Sequence, residues 1–150
     1  MNIHFAPLAA LLATLPLAAE FHVITIRYTP SGCIDCAQSL EARLRKTRGV
    51  EDLTFDPNGV VTLRLAPANR VRLELIRDFI EQGGEKINRI EFEASGALEA
   101  EGEARTFVVS GVDTRYPVTG AKAAAPRLRL TAHTDKSRPL AFTIDKAVAE

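Results

Sequence analysis

Tyr28-Thr29-Pro30-Ser31-Gly32-Cys33-Ile34-Asp35-Cys36-Ala37 is the stretch on which the reading of this chain turns. It holds the only two cysteines, three apart, at a seam where a strand pattern gives way to a helix pattern. Before it, Phe21-His22-Val23-Ile24-Thr25-Ile26-Arg27-Tyr28 is β-rich, with Ile24, Ile26 and Tyr28 alternating against Val23, Thr25 and Arg27. After it, Ala37, Leu40 and Leu44 recur at helical spacing, and Glu41 and Arg45 form an i,i+4 pair. Pro30 and Gly32 break the chain between the two. A thiol at such a helix start feels unpaired N–H groups and the positive end of the helix dipole. Both favour thiolate, the form that binds metal or attacks disulfides.

Outward from this seam the pattern continues in order. Arg43, Arg45, Lys46 and Arg48 crowd the end of the helix, where cations suit its negative pole, and Gly49 stops it. Residues 50–55 and 60–65 read as strands joined by the Asp56-Pro57-Asn58-Gly59 turn, a strong hairpin signal. A second helix follows with Asn69 as its expected N-cap and Val71, Leu75, Ile76, Phe79 and Ile80 as its apolar face, ending at Gly83-Gly84. Residues 87–94 read as a fourth strand, which can also run on through Leu98. The order β-α-β-β-α-β with right-handed crossovers predicts a two-layer α+β domain over residues 20–94.

Beyond it the character changes. Residues 97–103 form an acidic, glycine-punctuated connection. Residues 105–112, 127–133 and 140–144 then alternate as short strands, with a loop at 121–126. Residues 95–150 are expected to form a small all-β C-terminal extension, a partial barrel. At the other end, residues 1–19 carry no Lys, Arg, Asp or Glu and finish in Leu17-Ala18-Ala19. They resemble a secretory signal peptide, interrupted by Pro7 and Pro16 and too short to span a membrane, which implies a periplasmic or other extracytoplasmic protein. The 150 residues carry zero formal net charge, 46% hydrophobic and 25% charged residues. That balance argues against nucleic-acid binding and against a membrane span in the mature chain. Met1 is the only methionine, which excludes a methionine-rich copper site.

Strand, Cys33-Ile34-Asp35-Cys36 at a helix start, Leu40 and Leu44 on that helix, and Gly49-Val50 opening the next strand together resemble a heavy-metal-associated domain. That is the ferredoxin-like module of copper chaperones, mercury-binding periplasmic proteins and metal-pumping ATPases. The resemblance covers roughly half the chain and leaves the β-rich tail unexplained. It implies a ferredoxin-like βαββαβ sandwich in which Cys33 and Cys36 bind one soft metal ion, Cu(I) first, with Zn(II), Cd(II) or Hg(II) in some branches. It further implies a metal-transporting membrane protein, or another metal-accepting protein, as partner. Where the family has Gly-Met-Thr or Gly-Met-His, this chain has Pro30-Ser31-Gly32. Lys86 is its nearest equivalent to the lysine that lies near the metal in some chaperones.

The donor chemistry agrees: two thiolates satisfy Cu(I) or Hg(II), whereas Zn(II) wants four ligands. Asp35 is a candidate hard ligand, although an acid in the first turn of a helix is already explained by the dipole. His4, His22 and His133 lack spaced partners and read as surface or packing residues. Arg70, Arg72 and Arg77, with the basic end of the first helix, outline a positive face for an acidic partner or a merely solvated one. Two other readings stay open. One is a thiol–disulfide protein, against which the Ile34-Asp35 pair and the lack of a further β-α unit both count. The other is an extracytoplasmic binding module held by a plain disulfide. No Ser/His/Asp set, phosphate loop or paired carboxylates point to an enzyme.

Overall fold

The computed structural model describes residues 20–109, 112, 114–120 and 124–150. The signal-peptide reading of residues 1–19 lies outside them, as does part of the loop expected at 121–126. β1 (Phe21–Thr29) forms where the alternation demands it, burying Ile24, Ile26 and Tyr28 on one face. α1 (Ile34–Arg45) follows, then β2 (Val50–Asp56), β3 (Val60–Leu65), α2 (Leu73–Gln82) and β4 (Lys86–Glu101). β3 lies antiparallel between β2 and β1, and β1 pairs in turn with β4, matching Ile24 to Leu63 and to Phe92. α1 packs on β2 and α2, burying Leu40 and Leu44, and α2 packs on β4 through Ile76 and Ile80.

β4 decides the architecture. It is 16 residues long, and one of its edges is shared in succession by β1 and, from Ala97 onward, by β5 (Ala104–Val109). Its other edge pairs with β7 (Ala125–Thr134), matching Ile90 to Thr134 and Ala94 to Leu130. β6 (Thr114–Thr119) continues antiparallel from β5, and β8 (Phe142–Ala149) joins β6 in parallel and β7 in antiparallel fashion. The ring β4-β5-β6-β8-β7 therefore closes on β4, a five-stranded Greek-key barrel with no free edge inside the ring. Its interior is filled by side chains, as a barrel this small requires. Phe92 meets Phe142 edge-on at 4.8 Å and Phe107 in a stack at 6.2 Å, and Tyr116 meets Phe142 at 5.3 Å. Phe21 of β1 contacts both Phe92 and Tyr116, so one hydrophobic core runs through the chain.

This overturns the expected fold class, a ferredoxin-like βαββαβ sandwich followed by a small all-β extension. The chain is predominantly strand, with two short helices of 12 and 10 residues and a closed barrel built on β4. The physical reason lies at Ser95-Gly96, where the strand read over residues 87–94 does not stop but runs on, past its alternative end at Leu98, to Glu101. Ser95 is held in extended backbone by its N–H donating to the carbonyl of Glu20, and its hydroxyl meets His22 Nε2 at 2.8 Å and donates to Glu150. Gly96 is there because a Cβ would sit 2.4 Å from the Val108 carbonyl and 2.6 Å from the Phe107 ring. β6 went unread because Pro117 interrupts its alternation, yet Pro117 faces outward while Tyr116 and Val118 are buried.

The second helix also differs from expectation. Arg72, without a side-chain bond, is its N-cap, and Asn69 instead pins the preceding loop. The Asn69 amide donates to the carbonyls of Phe21 and Ala66 and accepts from the Val71 N–H. Leu73 takes the buried place assigned to Leu75, which is 43% exposed. Among the described residues no helix is long and apolar enough to cross a membrane.

Candidate functional site

The end of β1 delivers the chain to a tight loop, Pro30-Ser31-Gly32, and then to α1. Gly32 has φ +84° with open space around it, so backbone conformation rather than crowding calls for glycine here. Cys33 is the N-cap of α1: its backbone is extended, and its Sγ accepts the Cys36 N–H at 3.2 Å. That single bond satisfies one of the helix's orphan donors and places the two sulfurs side by side. They are joined as a disulfide, with S–S 2.03 Å and Cα–Cα 5.2 Å. Cys33 is exposed and Cys36 half-buried.

The loop is held from below by a residue that sequence reading passed over. Glu85, 5% exposed, follows the Gly83-Gly84 turn that ends α2. Its carboxylate accepts the Ser31 N–H at 2.5 Å and the Ser31 hydroxyl at 3.1 Å, and Ser31 Oγ in turn accepts the Cys33 N–H at 3.4 Å. Two hydrogen bonds thus tie a buried carboxylate to the first cysteine. The signal available was the acid directly after a Gly-Gly turn. Lys86, the residue the family resemblance singles out, starts β4 with its side chain in solvent.

A cavity of about 400 Å³ opens beside Cys33. Tyr28, Pro30, Ile34, Phe55 and Pro57 give it apolar walls, while Gln38, Glu41 and Glu85 supply the polar groups. Burial, then the charges of Glu85 and Asp56, pushes the Tyr28 hydroxyl up to about 12. Asp35 sits exposed in the first turn of α1. Among the described residues no group of three or more His, Cys, Asp or Glu is placed to hold a metal ion, so the site offers two sulfurs and no third ligand.

The other candidates separate from the site. His22 bonds Ser95, and His133 Nδ1 lies 2.8 Å from the Asp145 carboxylate on the barrel wall. Of the arginines expected to form a docking face, Arg77 is buried, its guanidinium on Asp78 at 2.9 Å. On α1, Arg45 pairs with Glu41 at 2.8 Å and Arg43 lies over the Phe79 ring. The positive face therefore reduces to Arg70 and Arg72, both exposed, and to the exposed Lys46 and Arg48 after α1.

No protein-family model, curated protein or solved structure matches this chain.

Proposed function

We propose that Cys33 and Cys36, once reduced, bind one soft metal ion, Cu(I) first, with Zn(II), Cd(II) or Hg(II) as the alternatives, and pass it to a partner by thiolate exchange. The carrying observation is the pair of cysteine sulfurs, bridged to each other at an exposed helix N-terminus, with no group of three or more ligands among the described residues. Two soft thiolates satisfy a near-linear Cu(I) ion and leave it open to attack. The helix start favours the thiolate pair, and the acids at Asp35 and Glu85 oppose it, so the site suits a cation that is held and released. Reduction of the disulfide takes two electrons and two protons from a dithiol partner. Cu(I) then displaces the thiol protons. A partner thiolate enters to give a three-coordinate ion, and one cysteine leaves. The chemistry is binding and transfer, with no substrate bond made or broken. The charge-free apolar run at residues 1–19 supports an extracytoplasmic setting, where the disulfide would be the resting form.

The bridged pair favours one second reading, a thiol–disulfide protein in which Cys33, the more exposed cysteine, takes the attack. Anaerobic titration with Cu(I) separates the two. The metal reading expects one equivalent bound per chain, lost in the Cys33→Ser/Cys36→Ser variant with the fold retained. Turnover of a dithiol substrate without Cu(I) uptake would favour the second reading.

A further inference from the structure

We infer that the cavity beside Cys33 receives a lysine or arginine side chain from a peptide segment of the partner, next to the sulfur that the partner presents to Cys33. The inference deepens the exchange reading and rests on it for the partner's sulfur. At about 400 Å³ the cavity stands at the small end of binding pockets, room for one long side chain and its flanking backbone. Its walls are apolar, and Ile34 forms an exposed apolar lip, 74% accessible, directly after Cys33. The charged residues that line it are Glu41 and Glu85, both acids, and Glu41 is already paired with Arg45.

Glu85 carries the argument. It is a carboxylate 5% exposed, and its hydrogen bonds are from the neutral N–H and O–H of Ser31. A carboxylate has about four acceptor positions, so about two remain open. Buried charge of this kind is ordinarily matched by a cation, and among the described residues Glu85 has no salt-bridge partner. Burial first, and then the negative charges of Glu85 and Asp56, raise the Tyr28 hydroxyl on the cavity wall. An apolar stem ending in a positive group matches both the walls and the acid, which is what lysine and arginine provide.

The test uses the full chain, isotope-labelled and with its disulfide intact, so that neither metal nor thiol exchange contributes. Three short synthetic peptides carry serine in place of the presenting cysteine and lysine, norleucine or glutamate beside it. The lysine peptide is expected to give saturable NMR shifts at Tyr28, Ser31, Ile34 and Phe55, binding roughly tenfold to a hundredfold more tightly than the norleucine peptide. Glu85→Gln is expected to erase that preference. Ile34→Lys, at an exposed position that cannot disturb the core, puts a cation at the mouth and is expected to weaken the lysine peptide as well. Equal binding of the three peptides, shifts elsewhere, or an unchanged preference in both variants would overturn the assignment. Lysine preference without Cu(I) uptake in the reduced chain would support the cavity assignment and overturn the metal reading. Cu(I) uptake without lysine preference would overturn the cavity assignment alone.

Discussion

Gly96 shows how much one missing methyl group controls. A Cβ there would collide with the Val108 carbonyl and the Phe107 ring, and both belong to the strand that β4 pairs with next. Gly96→Ala is therefore expected to destabilise the chain by about 1–3 kcal/mol, read from the midpoint of urea denaturation. The two tyrosines supply an independent check. Tyr28 is raised to about 12, and Tyr116 is raised further by burial, then by the Glu74 carboxylate its hydroxyl bonds at 3.2 Å. A folded pKa above the unfolded value means that the native state holds its protons longer, so stability is full below about pH 10 and falls as pH rises toward 12. Ultraviolet titration should show no tyrosinate at pH 10 in the folded chain, and denaturation midpoints should fall above it. At this scale the cysteine pair was legible because its spacing and helix start are local. Glu85 was not, since nothing in Gly-Gly-Glu-Lys says which charge turns inward.

Element by element, strong periodicity was readable and its interruptions were not. β1, the hairpin turn at 56–59 and the two helices follow from alternation, from Asn-Gly and from apolar residues at helical spacing. Ser95-Gly96 and Pro117 look like strand breakers, yet both lie inside strands whose partners were fixed only by long-range pairing. The segment between β7 and β8 is clamped to α2 in a way no local pattern announces: Arg138 reaches Asp78 and Glu81, each at 2.9 Å. Burial raises the Asp78 carboxyl, but Arg77 and Arg138 outweigh it, so its net pKa lies below the ordinary value. A depressed carboxylate stabilises above its unfolded pKa and loses that contribution as pH falls through the folded one. Arg138 is 59% exposed, so Arg138→Ala should lower the denaturation midpoint only slightly, and added salt should shrink the difference.

Across the whole molecule, the barrel and the helix-bearing layer share β4 and one aromatic cluster. Phe21 and Phe92 pack on Tyr116 and Phe142, and Tyr116 bonds Glu74 on α2. Cutting the chain after residue 96 would bare Phe21 and Phe92 and leave β4 without β5 and β7. Such a fragment is expected to lack a cooperative thermal transition, whereas residues 20–150 should melt in one step, as followed by far-ultraviolet and tyrosine signals together. A cooperative fragment would show that the shared core is dispensable. Ring closure was illegible for the same reason: it depends on β4 meeting β7 and β6 meeting β8 across long stretches of chain.

The direct test of the account is anaerobic Cu(I) titration of the fully reduced chain against a competing chelator, with Cys33→Ser/Cys36→Ser alongside. The account predicts one tightly held Cu(I) per chain, absent from the variant while its circular dichroism stays native. Cu(I) bound equally by both, or by neither, would contradict it.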